Sequence, residues 1–309
     1  MDWDEYCKLE LMNASTLVHG CKSMKHLRAA IDSGGTEETD AMRLGTGIHT
    51  LLLEPEEFES RYVVMPDYEN DPQNLRAAKR KDESDEERRT TSKATKFYRA
   101  KVAQFFRAAE LDGKTVLKRD QYDTALHCIE AIRSRPYMSK IIEQSEKEVT
   151  LLGEIGGIPF KGRVDLLRRK RPLIVDLKTT ADCGKHAFGR IFCRLHYDMK
   201  LAIYRELARQ NIGKAPDVGI ITQETSGVFD NAFVPVPDVV LDNAWTRVLE
   251  LVARYIRARR SGEWPGADGG KDRYELVIPN YAMWDDDDEE VDWSKIPSGA
   301  DDESFEVAF

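Results

Sequence analysis

No run of apolar residues in the chain approaches the roughly 18 that a membrane-spanning helix needs, and the opening stretch MDWDEYCKLELMN has no basic region followed by an apolar core. A cytoplasmic protein with no membrane partner is expected. Cysteine is scarce: Cys7, Cys21, Cys128, Cys183 and Cys193 form no CxxC pair, and an odd number fits poorly with a disulfide framework. They read as reduced thiols behaving as small hydrophobes. Internal repeats are also missing. So is a strongly basic balance, the usual footprint of a nucleic-acid binder, since the formal net charge is −9. That acidity is unevenly placed. Residues 284–309 hold eleven acids and one lysine, which leaves about +1 for residues 1–283.

With 309 residues, 41% of them hydrophobic, the chain can bury a large core. One domain over residues 1–284 is expected, followed by a disordered acidic tail over 285–309. The tail reads first as solubilising, and second as a dock for a basic partner. Residues 67–95 are polar and charged with few large apolar side chains, which suggests a mobile arm. The segment KGRVDLLRRKR (161–171) sets six basic residues against one acid, and Lys161 and Arg163 within it are candidate phosphate contacts.

Helical spacing is plain in DAMRLGTGIHTLLLEP, where Met42, Gly45, Ile48, His49, Leu52 and Leu53 recur at three- and four-residue steps before Pro55. This places His49 on the face of Gly45. Further helices are expected over 15–31, 94–110, 119–132, 137–144, 197–210 and 238–261. From Lys147 the period becomes that of strands: KEVTLLGEIGGIPFKGRVDLLRRKRPLIVDLKTT holds three β-rich runs separated by GEIGG and RKRP, an antiparallel meander. Strands over 217–225 and 228–236 complete a mixed sheet flanked by helices, an α/β (α+β) fold.

Asp176 and Lys178 lie two apart on the third run, so they share a face while Val175 and Leu177 point the other way. If Lys170 and Arg171 centre the preceding turn, Asp165 falls opposite Asp176, with Cβ atoms about 5 Å apart. Two facing carboxylates repel unless a divalent cation offsets the charge. The pairing depends on the turn, and Pro172 is placed to shift it. A D-x-K pair alone favours an ordinary solvated strand, because charged residues two apart are common.

Taken together, GTGIHTLLLEP, KGRVDLL, IVDLKTT and the following helix with its tyrosine resemble the RecE-type, exonuclease VIII-like branch of the PD-(D/E)xK nucleases of phages and prophages. The order of DGKTVLKRDQYDTALHCIEAIRSRP, ITQET, GEWPG and IPNYAMW extends the resemblance over about residues 13–284. It implies a restriction-endonuclease-like core and a magnesium ion, replaceable by manganese, bound by His49, Asp165, Asp176 and the Leu177 carbonyl. Lys178 would hold the attacking water and counter charge on the phosphate. Glu148 matches the acid that precedes the central pair, with Glu146 as its neighbouring alternative. The family's Gln-x-x-x-Tyr becomes Lys200 and Tyr204 here, a departure that bears on substrate positioning, because lysine accepts no hydrogen bond. No iron–sulfur cluster is expected, since no group of cysteines follows Cys193.

The activity implied is 5′ to 3′ digestion of one strand of linear double-stranded DNA from its ends, for single-strand-annealing recombination. The implied assembly is a homo-oligomeric ring working with an annealing protein. Two other readings remain open: a structure-specific or endonucleolytic enzyme with the same site, and a weakly catalytic DNA-binding or partner-recruiting module.

Overall fold

A computed structural model describes residues 1, 3–34, 39–271, 273 and 276. The chain runs α1 (Trp3–Lys8), β1 (Met12–Asn13), α2 (Ala14–Leu17), α3 (Met24–Ser33), α4 (Asp40–Leu53), α5 (Phe58–Arg61), β2 (Tyr62–Val64), α6 (Asp85–Arg88), α7 (Lys96–Leu111), β3 (Thr115–Leu117), α8 (Arg119–Arg133) and α9 (Pro136–Gln144). It continues through β4 (Glu146–Ile155), β5 (Ile158–Arg168), β6 (Leu173–Thr180), α10 (Lys185–Arg194), α11 (Tyr197–Ile212), β7 (Asp217–Glu224), β8 (Asn231–Pro235) and α12 (Asp238–Ser261).

The expected meander is present, with β4 antiparallel to β5 and β5 antiparallel to β6. Beyond it β7 runs parallel to β6 along the full length of that strand, and β8 returns antiparallel, giving a six-stranded mixed sheet. Strand β1 joins β5 in parallel at Phe160 and Lys161, whereas β6 pairs with β5 only from Leu166 onward. Residues 162–165 therefore lie between two different strand neighbours.

Both faces of the sheet are covered. On one, Leu151, Phe160, Val164 and Ile174 pack with Ile203 and Leu207 of α11 and Val248 and Leu251 of α12. On the other, Leu166, Val175, Leu177 and Ile221 meet Ile48 and Leu52 of α4, Ile129 of α8 and Ile141 of α9. A strand buried on both faces reads as a near-continuous apolar run, as LIVDL does. The polar pair inside it is the exception.

Local signals account for the helix limits. Thr39 caps α4 by accepting from Met42 N–H, and Glu54–Pro55 ends it. Gly262, at φ 76°, closes α12 in the left-handed region. The single helix expected over 15–31 is instead α2, a 3₁₀ turn (Val18–Cys21) and α3, because Ser23 starts a new helix by accepting from His26 N–H. Gly20, within the 3₁₀ turn, lies at a close approach to α12: a Cβ there would sit 2.7 Å from the Leu251 side chain.

Residues 67–95, expected to be a mobile arm, carry α6 with a Ser84–Glu87 capping box and a bridge between Leu75 and Arg89. Asn74 is fully buried there, with its amide donating to the carbonyls of Glu69 and Ser92. Met1–Ala267 forms one compact unit, and Asp268–Phe309 falls in a second. The expected tail over 285–309 lies outside the described residues. Among those described, no helix is long and apolar enough to cross a membrane.

Helix α11 approaches the sheet over Gly162, where an added Cβ would sit 3.0 Å from Leu207 and 3.1 Å from Tyr204. Gly162→Val is expected to destabilise the fold by about 1–3 kcal/mol through overpacking. Urea denaturation of the variant beside wild type measures this, and an unchanged midpoint would show that α11 can move away freely.

Candidate active site

The site begins with two missing rungs. Strands β4 and β5 pair Glu146 with Leu167, Lys147 with Leu166 and Val149 with Val164, but not Glu148 with Asp165. At that gap Glu148 has φ 49°, a left-handed conformation that costs a non-glycine residue about 1–2 kcal/mol. Strands β5 and β6 pair Arg168 with Leu173, Leu167 with Ile174 and Leu166 with Val175. The next rung would be Asp165 with Asp176, and there the ladder stops. This is the register of a turn centred on Lys170 and Arg171, so Pro172 does not shift it.

The strand loses its alternation at Asp165. Val164 packs toward α11 but Leu166 packs toward α4 and α8, although alternation would put them on one face. The Leu177 N–H donates to Asp165 Oδ2 at 2.6 Å. Glu148, Asp165 and Asp176 thus form a row across three adjacent strands where backbone pairing is given up.

Helix α4 brings His49 to this row. Its Nε2 lies 3.0 Å from the Leu177 carbonyl oxygen, which can only accept, so Nε2 carries the hydrogen. Nδ1 is then the bare nitrogen, 3.6 Å from Asp165 Oδ2. Burial, and then the Lys178 charge, lower the His49 pKa and keep the ring neutral. A lone pair facing a carboxylate is repulsive until a proton or cation lies between them.

His49, Glu148 and Asp165 each offer an atom within 4.8 Å of the others. Burial and then the Asp176 charge push the Asp165 carboxyl up to about 7, and burial followed by Asp165 raises Glu148 as well. Asp176 stands beside this trio, with its Oδ2 2.5 Å from Lys178 Nζ. Burial works against the Lys178 ammonium, but Asp176 and Asp165 outweigh it and hold its pKa above the ordinary value. One imidazole with several carboxylates suits a hard divalent ion such as magnesium or manganese. The Leu177 carbonyl, expected as a further ligand, here accepts from His49 and from Lys178 Nζ at 3.3 Å.

Of the two candidate acids on β4, the fold selects Glu148. Glu146 is exposed and bonded to Arg169. Arg163 is enclosed, donating to Glu148 Oε2 at 2.8 Å and to Glu54 Oε1 at 3.0 Å, while Arg61 donates to Glu54 Oε2 at 2.8 Å. Glu54 and Arg61 were not expected from the sequence. Their only signal is position, since Glu54 follows the His49 helix directly. A cavity of about 540 Å³ opens beside this network, lined by Glu54, Arg61, Glu148 and Arg163.

Lys161 is also occupied, since its Nζ donates to the Tyr6 carbonyl at 2.8 Å and lies 4.5 Å from the Tyr6 ring. Lys200 does reach the site: its Nζ and that of Lys178 each lie 5.4 Å from the centre of the Tyr197 ring. Burial and then Lys178 lower its pKa. Tyr204 stands one turn along against Gly162, with its phenol pKa raised by burial.

Comparison with known proteins bears on the fold and the family. A crystal structure from Eubacterium rectale named "Putative exonuclease" superposes with TM-score 0.58 at 17% identity, covering 90% of this chain and 95% of that one, which is a likeness of fold. A structure named SSO0001 overlaps at TM-score 0.27 with 19% identity over 45% of this chain and 61% of that one, too little to bear on the fold. None of the curated proteins compared matches the chain. Residues 14–275 match a family described as a PDDEXK-like domain of unknown function (DUF3799), and the chain belongs to that family.

Proposed function

We propose that the protein is a magnesium-dependent deoxyribonuclease that removes one strand of linear duplex DNA from its ends, 5′ to 3′, by hydrolysing phosphodiester bonds. The observation that carries the hydrolytic reading is the row Glu148–Asp165–Asp176 with the Lys178 ammonium at its end and the bare nitrogen of His49 above it. Such a row is costly without a cation and apt for holding one. The restriction to DNA ends, the polarity, a ring of subunits and an annealing partner draw their support from the resemblance of the motifs to exonuclease VIII-like nucleases.

His49, Glu148 and Asp165 would hold the metal, with Asp176 alongside. A bound divalent ion polarises a phosphoryl oxygen and lowers the pKa of a coordinated water. Lys178 acts as a fixed positive charge, because its two carboxylate neighbours keep it protonated. It orients the attacking water and offsets negative charge growing on the phosphate. Lys200 supplies a second ammonium on the Tyr197 ring, where the family's glutamine would give a neutral donor and acceptor.

Purified protein with magnesium is expected to digest end-labelled linear duplex and to spare closed circles. Equal cutting of both would leave a nuclease and remove the exonuclease claim. Asp176→Ala and Lys178→Ala are each expected to lower the rate by about 10²-fold or more, measured on the same linear substrate.

Magnesium should also stabilise the fold in a pH-dependent way. In the folded protein burial and the Asp176 charge push the Asp165 carboxyl up to about 7 from an ordinary 3.8. Its contribution to stability is full below the lower value and is lost as pH rises through the upper one. The gain in Tm from magnesium over EDTA should therefore be larger at pH 8 than at pH 5.5. In Asp165→Asn that difference should shrink. A gain independent of pH in wild type would show that the metal does not engage this carboxylate.

A further inference from the structure

Four residues (181–184) separate the lysine strand from α10, so this helix is set beside the active site by chain length alone. Its sequence, KHAFGRIFCR, contains no acid. Phe188 is buried, and Phe192 packs with it against the Tyr197 ring, fixing which side faces the protein. The opposite side carries His186, Gly189, Arg190, Cys193 and Arg194, all exposed. His186, Arg190 and Arg194 fall at successive four-residue steps, one above another along that side.

Among the described residues, none of these basic side chains has an acidic partner within salt-bridge distance. Elsewhere on the surface arginines are commonly paired, as Arg205 is with Asp238 and Asp242 and Arg169 is with Glu146. Between the basic side chains lie Gly189 and Cys193, and no atom lies within 4 Å of where a Cβ on Gly189 would sit. A bulky ligand can therefore come close to the helix backbone. The row leads inward: the Arg194 charge reaches Tyr197, whose ring lies beside both Lys178 and Lys200.

From this we infer that the exposed side of α10 is a track for the sugar–phosphate backbone of a DNA strand, leading it past Tyr197 and Lys200 to the metal-binding row. The inference rests on the nuclease reading and adds the surface that guides the substrate. Its occupant is a polyanion because the row is uniformly basic, unpaired and free of large apolar side chains. A protein partner would instead call for an apolar centre.

The test is the salt dependence of binding to a linear duplex, with calcium in place of magnesium. Each phosphate contact contributes about 0.9 to the slope of log affinity against log salt. Arg190→Ala with Arg194→Ala should make the slope shallower by about 1.8, and weaken binding roughly 10- to 100-fold near 0.1 M salt. Both positions are exposed, and an unchanged Tm will verify that the variant folds. The control pair, Arg257→Ala with Arg260→Ala on the exposed side of α12, should leave the slope as in wild type. An unchanged slope in the α10 variant, or an equal loss in the control, overturns the track while wild type still binds and cuts DNA. A wild-type protein that neither binds nor cuts DNA overturns the nuclease reading and the track together.

Discussion

Three carboxylates occupying one rung of a buried sheet are the constraint that the rest of this molecule accommodates. Glu148, Asp165 and Asp176 sit on neighbouring strands, and in a medium of low polarity their mutual repulsion is large. The surroundings answer it piece by piece. Asp165 takes the Leu177 N–H, Glu148 takes Arg163, and Asp176 takes Lys178. Among the described residues Asp165 is the member with no cation bonded to it, and burial with the Asp176 charge raises its pKa to about 7.

The scaffold makes that arrangement rigid. Strand β6 is paired with β5 on one edge and with β7 on the other, and its apolar residues are covered on both faces. Its polar residues cannot move apart without breaking the parallel β6–β7 ladder, which holds through all eight of its residues. His49 and Lys200 come from helices on opposite faces of the same sheet. The gap between β1 and β6 along β5 is what lets groups from both sides meet near Asp165.

Much of this could be read from the residues because period and register are local properties. The β4–β6 meander, the placing of Asp165 against Asp176 and the face of His49 follow from alternation, a four-residue turn and helical spacing. The bounds of α12 are those its capping residues indicate. What could not be read depends on contacts between distant segments. Lys161 and Arg163 look like free basic residues in KGRVDLL, yet one is held by Tyr6 and the other by Glu54 and Glu148. Choosing Glu148 over Glu146 required knowing that the chain turns left-handed there, which no side-chain pattern encodes. Helix α10 was missed because it is short and begins at Gly184 with no side-chain cap to mark its start.

The backbone of Glu148 has a consequence for how the protein can vary. Glycine would adopt φ 49° with ease, whereas glutamate holds it under strain. Replacement by glycine would ease the backbone and remove one of three crowded negative charges, but it would also take from the enclosed Arg163 one of its two carboxylate partners. Backbone strain, carboxylate crowding and an enclosed ion pair thus meet in one residue, and no single substitution at position 148 relieves the first two while keeping the third.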